Sequence, residues 1–191
     1  MKTRWLDEPQ PYDGAQLAAH WIRWHTGLEG DAMVAFRGPC AVARDEIADL
    51  EDLDGPGIAA DDMVHFLWES FTQPDLLLAV HRQRLLTAQA LEVLQEQRRP
   101  GGPPVRRCGD DLWCDDGKLS ISIATATPVS SMIHFAVNAQ RGGAPVAIAA
   151  LADLGVDPAA FAAALLTRCA DEQDGIAAAR AKVRAKGEWR R

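Results

Sequence analysis

The sequence predicts an α+β fold built on a largely antiparallel sheet, and three observations carry that expectation. Helical segments stand near the start, between strand candidates, and at the end, without a regular strand–helix alternation. From residue 105 onward strand candidates follow one another directly, as in a meander. From Lys118 onward the residues alternate: Leu119, Ile121 and Ile123 on one face, Lys118, Ser120 and Ser122 on the other. That period of two belongs to a half-buried strand.

Arg4–Leu6 reads as a short first strand. Asp13 is placed to cap a helix over 14–26, with Leu17, Trp21 and Trp24 near one face and Gly27 as its stop. Ala32–Phe36 is a compact apolar strand closed by Gly38-Pro39, with Cys40–Ala43 as its hairpin partner. The acidic stretch Asp45–Asp54 reads as a short helix and a loop ending in Gly55-Pro56-Gly57, its Asp49, Glu51, Asp52 and Asp54 facing solvent. Met63–Phe71 is rich in aromatic and branched residues and reads as a strand. Pro74 starts a helix to about Arg98, with Leu77, Val80, Arg84, Leu91 and Leu94 at helical steps. Pro100-Gly101-Gly102-Pro103-Pro104 ends it, and strands are expected near 105–107, 111–114, 118–126, 131–139 and 145–149. Asp157-Pro158 opens an alanine-rich helix to about Lys186, continuous or broken near Gly175.

At 191 residues the chain is expected to form one domain, 1–191, with a sizeable core. A net charge of −7 argues against a nucleic-acid or membrane-surface binder, because such proteins carry a basic face. The cations Arg180, Lys182, Arg184, Lys186, Arg190 and Arg191 suit a solvated helix end. No secretory segment opens the chain and no apolar run is long enough to span a membrane, so the cytoplasm is the expected location. Cys40, Cys108, Cys114 and Cys169 lack CxxC spacing, which favours reduced packing residues over a zinc site or a disulfide framework. P-loop, GxGxxG, HExxH and GxSxG patterns are absent.

The polar residues around the Asp115-Asp116-Gly117 turn are the candidates for chemistry. If Ala124 pairs with His134 across a hairpin, Ser122 faces Ala136 and Ser120 faces Asn138, and Lys118, Ser120, Ser122, His134 and Asn138 share one surface. A solvated sheet face is the plainer reading of the same residues. Asp110-Asp111 reads as a solvated turn, as a partner for Lys118 or an arginine, or as oxygen ligands for a divalent cation. His65 and Glu69 fall four apart on one strand face and are expected to line the same pocket as Lys118.

A set of segments runs along the chain: Phe36-Arg37-Gly38-Pro39-Cys40, the acidic run to Asp52, His65-Phe66 with Glu69, Gln83-Arg84-Leu85-Leu86, and Arg107 with Gly109-Asp110-Asp111-Leu112. Lys118-Leu119-Ser120-Ile121-Ser122-Ile123-Ala124-Thr125, Pro128-Val129-Ser130, Ile133-His134 and Asn138 complete it. Together they resemble the family known as domain of unknown function 366. The resemblance covers nearly the whole chain and implies no activity. Gly109-Asp110-Asp111-Leu112 and Asp116-Gly117-Lys118-Leu119-Ser120 are also similar to segments of the biotin and lipoate protein ligases. That likeness implies a central mixed sheet packed with helices and Lys118 at the reacting centre; the cofactor stays open, with ATP and Mg2+ as candidates. Those ligases carry Arg-Arg-x-x-Gly-Gly-Gly where this chain has Asp52-Leu53-Asp54-Gly55-Pro56-Gly57.

Two functions follow as expectations. One is a ligase- or acyltransferase-like enzyme for a small acid, acyl group or nucleotide-like ligand. Lys118 is then catalytic, and Asp110, Asp111, Ser120, Ser122, His134, Asn138, His65, Glu69 and Arg107 bind substrate. The other is a small-ligand-binding or assembly protein without catalysis. A homodimer is compatible with either.

Overall fold

The computed structural model describes residues 1–187. It has the expected α+β character. A five-stranded mixed sheet forms from β1 (Lys2–Trp5), β2 (Ala32–Val42), β3 (Ile58–Ser70), β7 (Ser120–Ala126) and β8 (Ser131–Asn138), in the order β1-β2-β3-β8-β7. Only β1 and β2 are parallel; the other pairs are antiparallel. A second sheet holds β4 (Val105–Cys108), β5 (Asp111–Cys114) and β6 (Gly117–Lys118).

The strands bury both faces. Met33, Ala35, Val64, Phe66, Ile133, Phe135 and Val137 pack beneath α2 (Leu76–Gln97) and α4 (Pro158–Lys182). Val34, Phe36, Met63, Leu67 and Ala136 form a second cluster with Tyr12 and Ile22, the latter on α1 (Trp21–Thr26). Asp75 caps α2 by accepting from Leu78 N at 2.9 Å, and Asp157 caps α4 by accepting from Ala160 N at 2.8 Å. Arg168 of α4 bridges Glu92 and Glu96 of α2. Among the described residues no helix is long and apolar enough to cross a membrane.

Several boundaries move. The first strand is Lys2–Trp5 and ends before Leu6. The helix expected over 14–26 shrinks to α1, because Gly14 takes a φ of +100° and Asp13 is spent on a local turn, accepting from Ala15 N. Ala32–Phe36 and Cys40–Ala43 are not a hairpin but one strand, with a bulge between Gly38 and Cys40 that absorbs Pro39. A Cβ on Gly38 would overlap the Gln10 carbonyl, so only glycine lets residues 10–12 lie along β2. The acidic stretch holds only two short 3-10 turns, Arg44–Glu46 and Asp52–Asp54.

On α2, Leu77 of the predicted stripe is exposed, whereas Leu94 is buried and Leu91 packs against the core; the other buried positions are Ala79, Gln83, Leu86, Thr87, Gln89, Ala90 and Val93. The apolar face is therefore interrupted by small and hydrogen-bonded polar side chains. The strand expected at 145–149 is a single bridge at Ile148, followed by the unpredicted α3 (Leu151–Leu154). The last helix runs unbroken through Gly175 and ends at Lys182; Arg190 and Arg191 lie outside the described residues. All four cysteines are free thiols.

One correction reaches the site. Residues 118–126 are not one strand. Leu119 is buried in the core and donates its N–H to the Leu112 carbonyl, and there the chain steps from β6 to β7. The β7–β8 register then pairs Ile123 with His134 and Ser122 with Phe135, one residue away from the expected pairing. A slip of one exchanges the two faces. Ser120 and Ser122 share a face with Phe135 and Val137, towards α2, whereas His134 shares the other with Ile121, Ile123 and Ala136.

Candidate functional site

A cavity of about 390 Å3 opens beside β7, the outermost strand of the large sheet. Ile121, Met63 and His134 border it from the sheet, Tyr12 from the segment beside β2, and residues of the 46–58 loop and the 144–148 segment complete its walls. Seven of the expected site residues border this one space: Lys118, Asp110, Asp111, Ser120, Ser122, His134 and Asn138. His65, Glu69 and Arg107 do not line it.

Lys118 is fixed from both ends. Its N–H donates to the Ala147 carbonyl, and its carbonyl accepts from Ala149 N and from Asn138 Nδ2. Asn138 Nδ2 also donates to the Ala149 carbonyl, so this carboxamide is a brace for two passing chains. The lysine Nζ lies 3.0 Å from Asp111 Oδ2, with both side chains roughly a quarter to a third exposed. Burial raises the Asp111 carboxyl above its usual range and the Lys118 bond opposes that rise; neighbouring Asp110 and Asp52 add to it.

Asp110 belongs to a network rooted in α2. Its Oδ2 accepts from Gln83 Nε2 at 2.8 Å and its Oδ1 lies 3.3 Å from Arg84. Gln83 Nε2 also donates to Ser122 Oγ, which donates to the His134 carbonyl. Ser120 Oγ accepts from Leu112 N. The two serines therefore tie sheets and helix together, and touch the cavity only because β7 is an edge strand.

The floor is aromatic. Gln10 and Tyr12 donate their backbone N–H groups to Arg37 and Pro39, and Ala41 donates to Tyr12, which lays Tyr12 along β2. Its ring stacks on His134 with centroids 3.6 Å apart and planes 9° apart. Behind it, His65 Nε2 lies 3.1 Å from the Gly38 carbonyl and His65 Nδ1 lies 3.1 Å from His134 Nε2. Burial lowers His65 from 6.5 to about 4, and lowers His134 well below 6.5, with His65 adding to the effect. Burial also raises the Tyr12 hydroxyl, which stays protonated at neutral pH.

The expectation that His65 and Glu69 line the Lys118 pocket is corrected. They do share a strand face, but His65 stands behind His134, and Glu69 is buried where it accepts from His20 N and Ser130 Oγ. Arg107 sits exposed on β4 and donates to the Gly109 carbonyl. Tyr12 and Gln83 are the residues that sequence reasoning did not place at the site. Asp49, Glu51 and Asp52, expected to face only solvent, also border the cavity.

ATP and Mg2+ can be tested against this lining. Glu46, Asp49, Glu51, Asp52, Asp110 and Asp111 border the cavity against one lysine. Among the described residues no group of three His, Cys, Asp or Glu side chains is placed to hold a metal ion. A triphosphate meets repulsion here and no ready ion to relieve it, so the residues do not fit the pair.

Comparisons with known proteins agree with the fold. An uncharacterised protein of Methanocaldococcus jannaschii is 34% identical over 151 residues; the match spans 76% of this chain and 66%, just under two thirds, of that protein. A solved protein of unknown function from Pyrococcus horikoshi superposes with a TM-score of 0.89 at 37% identity, covering 96% of this chain and 98% of that one. The biotin protein ligase of Aquifex aeolicus, solved with biotin and ATP, gives a TM-score of 0.59 at 11% identity, covering 92% and 71%. A putative lipoate protein ligase from T. acidophilum gives 0.53 at 15%, covering 92% and 86%. The fold is that of the biotin and lipoate protein ligases. The family described as Domain of unknown function (DUF366) matches residues 1–184, and the chain belongs to it.

Proposed function

We propose that the cavity binds a small monocarboxylic acid or its acyl derivative, and that Lys118 acts on the carbonyl end in an acyltransferase-like reaction. The observation that carries this reading is the half-buried Lys118–Asp111 pair at the cavity wall, with the lysine backbone braced by Asn138 and the 147–149 segment. A fixed ammonium is suited to a charge that develops on one oxygen. When a nucleophile attacks the acyl carbon, the carbonyl oxygen gains charge and Lys118 Nζ–H donates to it. The leaving group departs with the acyl bond's electrons as the carbonyl re-forms. Lys118 is then the catalytic residue, and Asp111 a positioning residue that holds it.

The acidic lining narrows the ligand. A neutral acyl carbonyl or a single carboxylate can sit at the one lysine, whereas a nucleoside triphosphate faces the surrounding carboxylates. A ligase-like adenylation is accordingly not part of the proposal. The second reading, binding without catalysis, draws on the same pair, since Asp111 already satisfies Lys118.

The test uses octanoate and its N-acetylcysteamine thioester, with hydroxylamine as acceptor. The expected result is thermal stabilisation by both compounds and hydroxamate formation, both lost in Lys118→Ala and kept in Lys186→Ala. Stabilisation without hydroxamate selects the non-catalytic reading. Equal responses in all three proteins, or none in any, overturn a role for Lys118.

A further inference from the structure

The Tyr12–His134 side of the cavity carries two polar groups that have no hydrogen-bond partner among the described residues. His65 decides the state of the first. The Gly38 carbonyl can only accept, so His65 Nε2 must donate to it. His65 is neutral, which leaves its Nδ1 as an acceptor, and the 3.1 Å contact then requires His134 Nε2 to donate. His134 is therefore the Nε2–H tautomer, and its Nδ1 carries a lone pair. No residue among those described hydrogen-bonds to that nitrogen, although His134 is only 2% exposed and borders the cavity. The second group is the Tyr12 hydroxyl. It has no hydrogen-bond partner among the described residues, on a side chain 2% exposed that borders the cavity and stacks on His134.

Among the described residues the fully buried side-chain atoms without a partner are Trp68 Nε1 and Gln97 Oε1, so His134 Nδ1 and the Tyr12 hydroxyl are open to the cavity, and a ligand there must match the hydrogen bonds that water makes to them. An anion placed beside an imidazole lone pair is repelled. A phenol can donate or accept.

We propose that the Tyr12–His134 end of the cavity recognises a neutral head group bearing both a donor and an acceptor, namely a hydroxyl, amide or urea. The donor goes to His134 Nδ1 and the acceptor takes the Tyr12 O–H. A methyl terminus or a second carboxylate is discriminated against. His134 and Asn138 stand four residues apart on β8, a rise of about 13 Å, and Asn138 holds the Lys118 carbonyl. Resting on the proposal that Lys118 takes the acid end, the substrate is an ω-functionalised acid. His65 is a positioning residue that sets the His134 tautomer.

The experiment is a matched series in the full chain: octanoate, 8-hydroxyoctanoate, suberamate and suberate, titrated by calorimetry. The hydroxyl and primary-amide acids should bind roughly tenfold more tightly than octanoate, with suberate weakest. His134→Phe keeps a ring against Tyr12 and should erase the preference. Two measurements on the wild type need no variant. Nitrogen-15 NMR of the His134 imidazole should show Nδ1 unprotonated, and ethylurea, which has no carboxylate, should shift that resonance. A protonated Nδ1, a resonance unmoved by ethylurea, or octanoate binding as well as its hydroxylated partner overturns the proposal. If ethylurea shifts His134 while none of the acids binds, the donor–acceptor end stands and the Lys118 reading fails.

Discussion

Acidification should unfold this protein through its buried histidine pair before its carboxylates titrate. His65 is fully buried between Tyr12, Phe36 and His134, bonded to the Gly38 carbonyl, with the Asp62 charge opposing the effect of burial only in part. Its folded value of about 4 stands against the ordinary 6.5 expected once the chain unfolds. The unfolded state therefore binds the proton that the folded state refuses. Stability is complete above pH 6.5 and is lost as pH falls towards 4. A shift of that size corresponds to about 3 kcal/mol over the whole window, of which about 2 kcal/mol is lost between pH 7 and pH 5. His134, displaced in the same direction by burial and by His65, adds to the loss. Asp111 works the other way, because its raised carboxyl takes up a proton in the fold first.

Urea unfolding at pH 7 and pH 5 measures the effect. With a slope of 1–3 kcal/mol per molar, a loss of 2 kcal/mol moves the midpoint down by roughly 1 M. His134→Phe removes one titrating ring from the pair and should flatten the dependence. Proton NMR should show both imidazoles uncharged at pH 6. A midpoint that is level between pH 7 and pH 5, or a histidine of this pair titrating near 6.5, would refute the reasoning, because it would mean that water reaches the pair.

Gly38→Ala should lower stability by about 1–3 kcal/mol, since its Cβ meets the Gln10 carbonyl and pushes away the segment that carries Tyr12; a change under about 0.5 kcal/mol in urea unfolding would show that this segment yields freely. Asp111→Asn should cost at most about 1 kcal/mol, because the pair is partly solvated and the aspartate is already strained towards its neutral form. The same change frees Lys118 and should tighten octanoate binding in calorimetry; weaker binding would show that the acid does not compete with Asp111 for the lysine.

Much of the fold was legible because burial follows period. The alternation of Ile133, Phe135 and Val137 marks β8, the aromatic run marks β3, and Asp157-Pro158 marks the start of α4. The errors share a different cause, which is tertiary pairing. Nothing local says that Gly38-Pro39 continues a strand; that follows from residues 10–12 and β3 gripping both of its edges. The one-residue error in the β7–β8 register has the same origin. Alternation from Lys118 to Thr125 is uninterrupted in the sequence, but Leu119 is drawn into the core between two sheets, and the face of everything after it is set by that contact. The carboxylate partner of Lys118 was legible from proximity in the chain. Tyr12 was not, because a single aromatic residue in a proline-flanked loop carries no period.

The step at Leu119 is also what makes a site out of ordinary strands. A single straight strand over 117–126 would carry Lys118 in the large sheet as an extension of β7, away from its pairing with β5. Instead Lys118 remains paired with Trp113 in the small sheet, where Asp111 of β5 lies within reach, while Ser120 onward joins the large sheet. The cavity lies where the two sheets part, and its two ends inherit different chemistry. At the small sheet a lysine meets carboxylates in partial contact with water. At the large sheet a neutral histidine and a tyrosine stack on each other, nearly buried, against the core. The proposed ligand is accordingly polar at both ends, with an apolar chain between them.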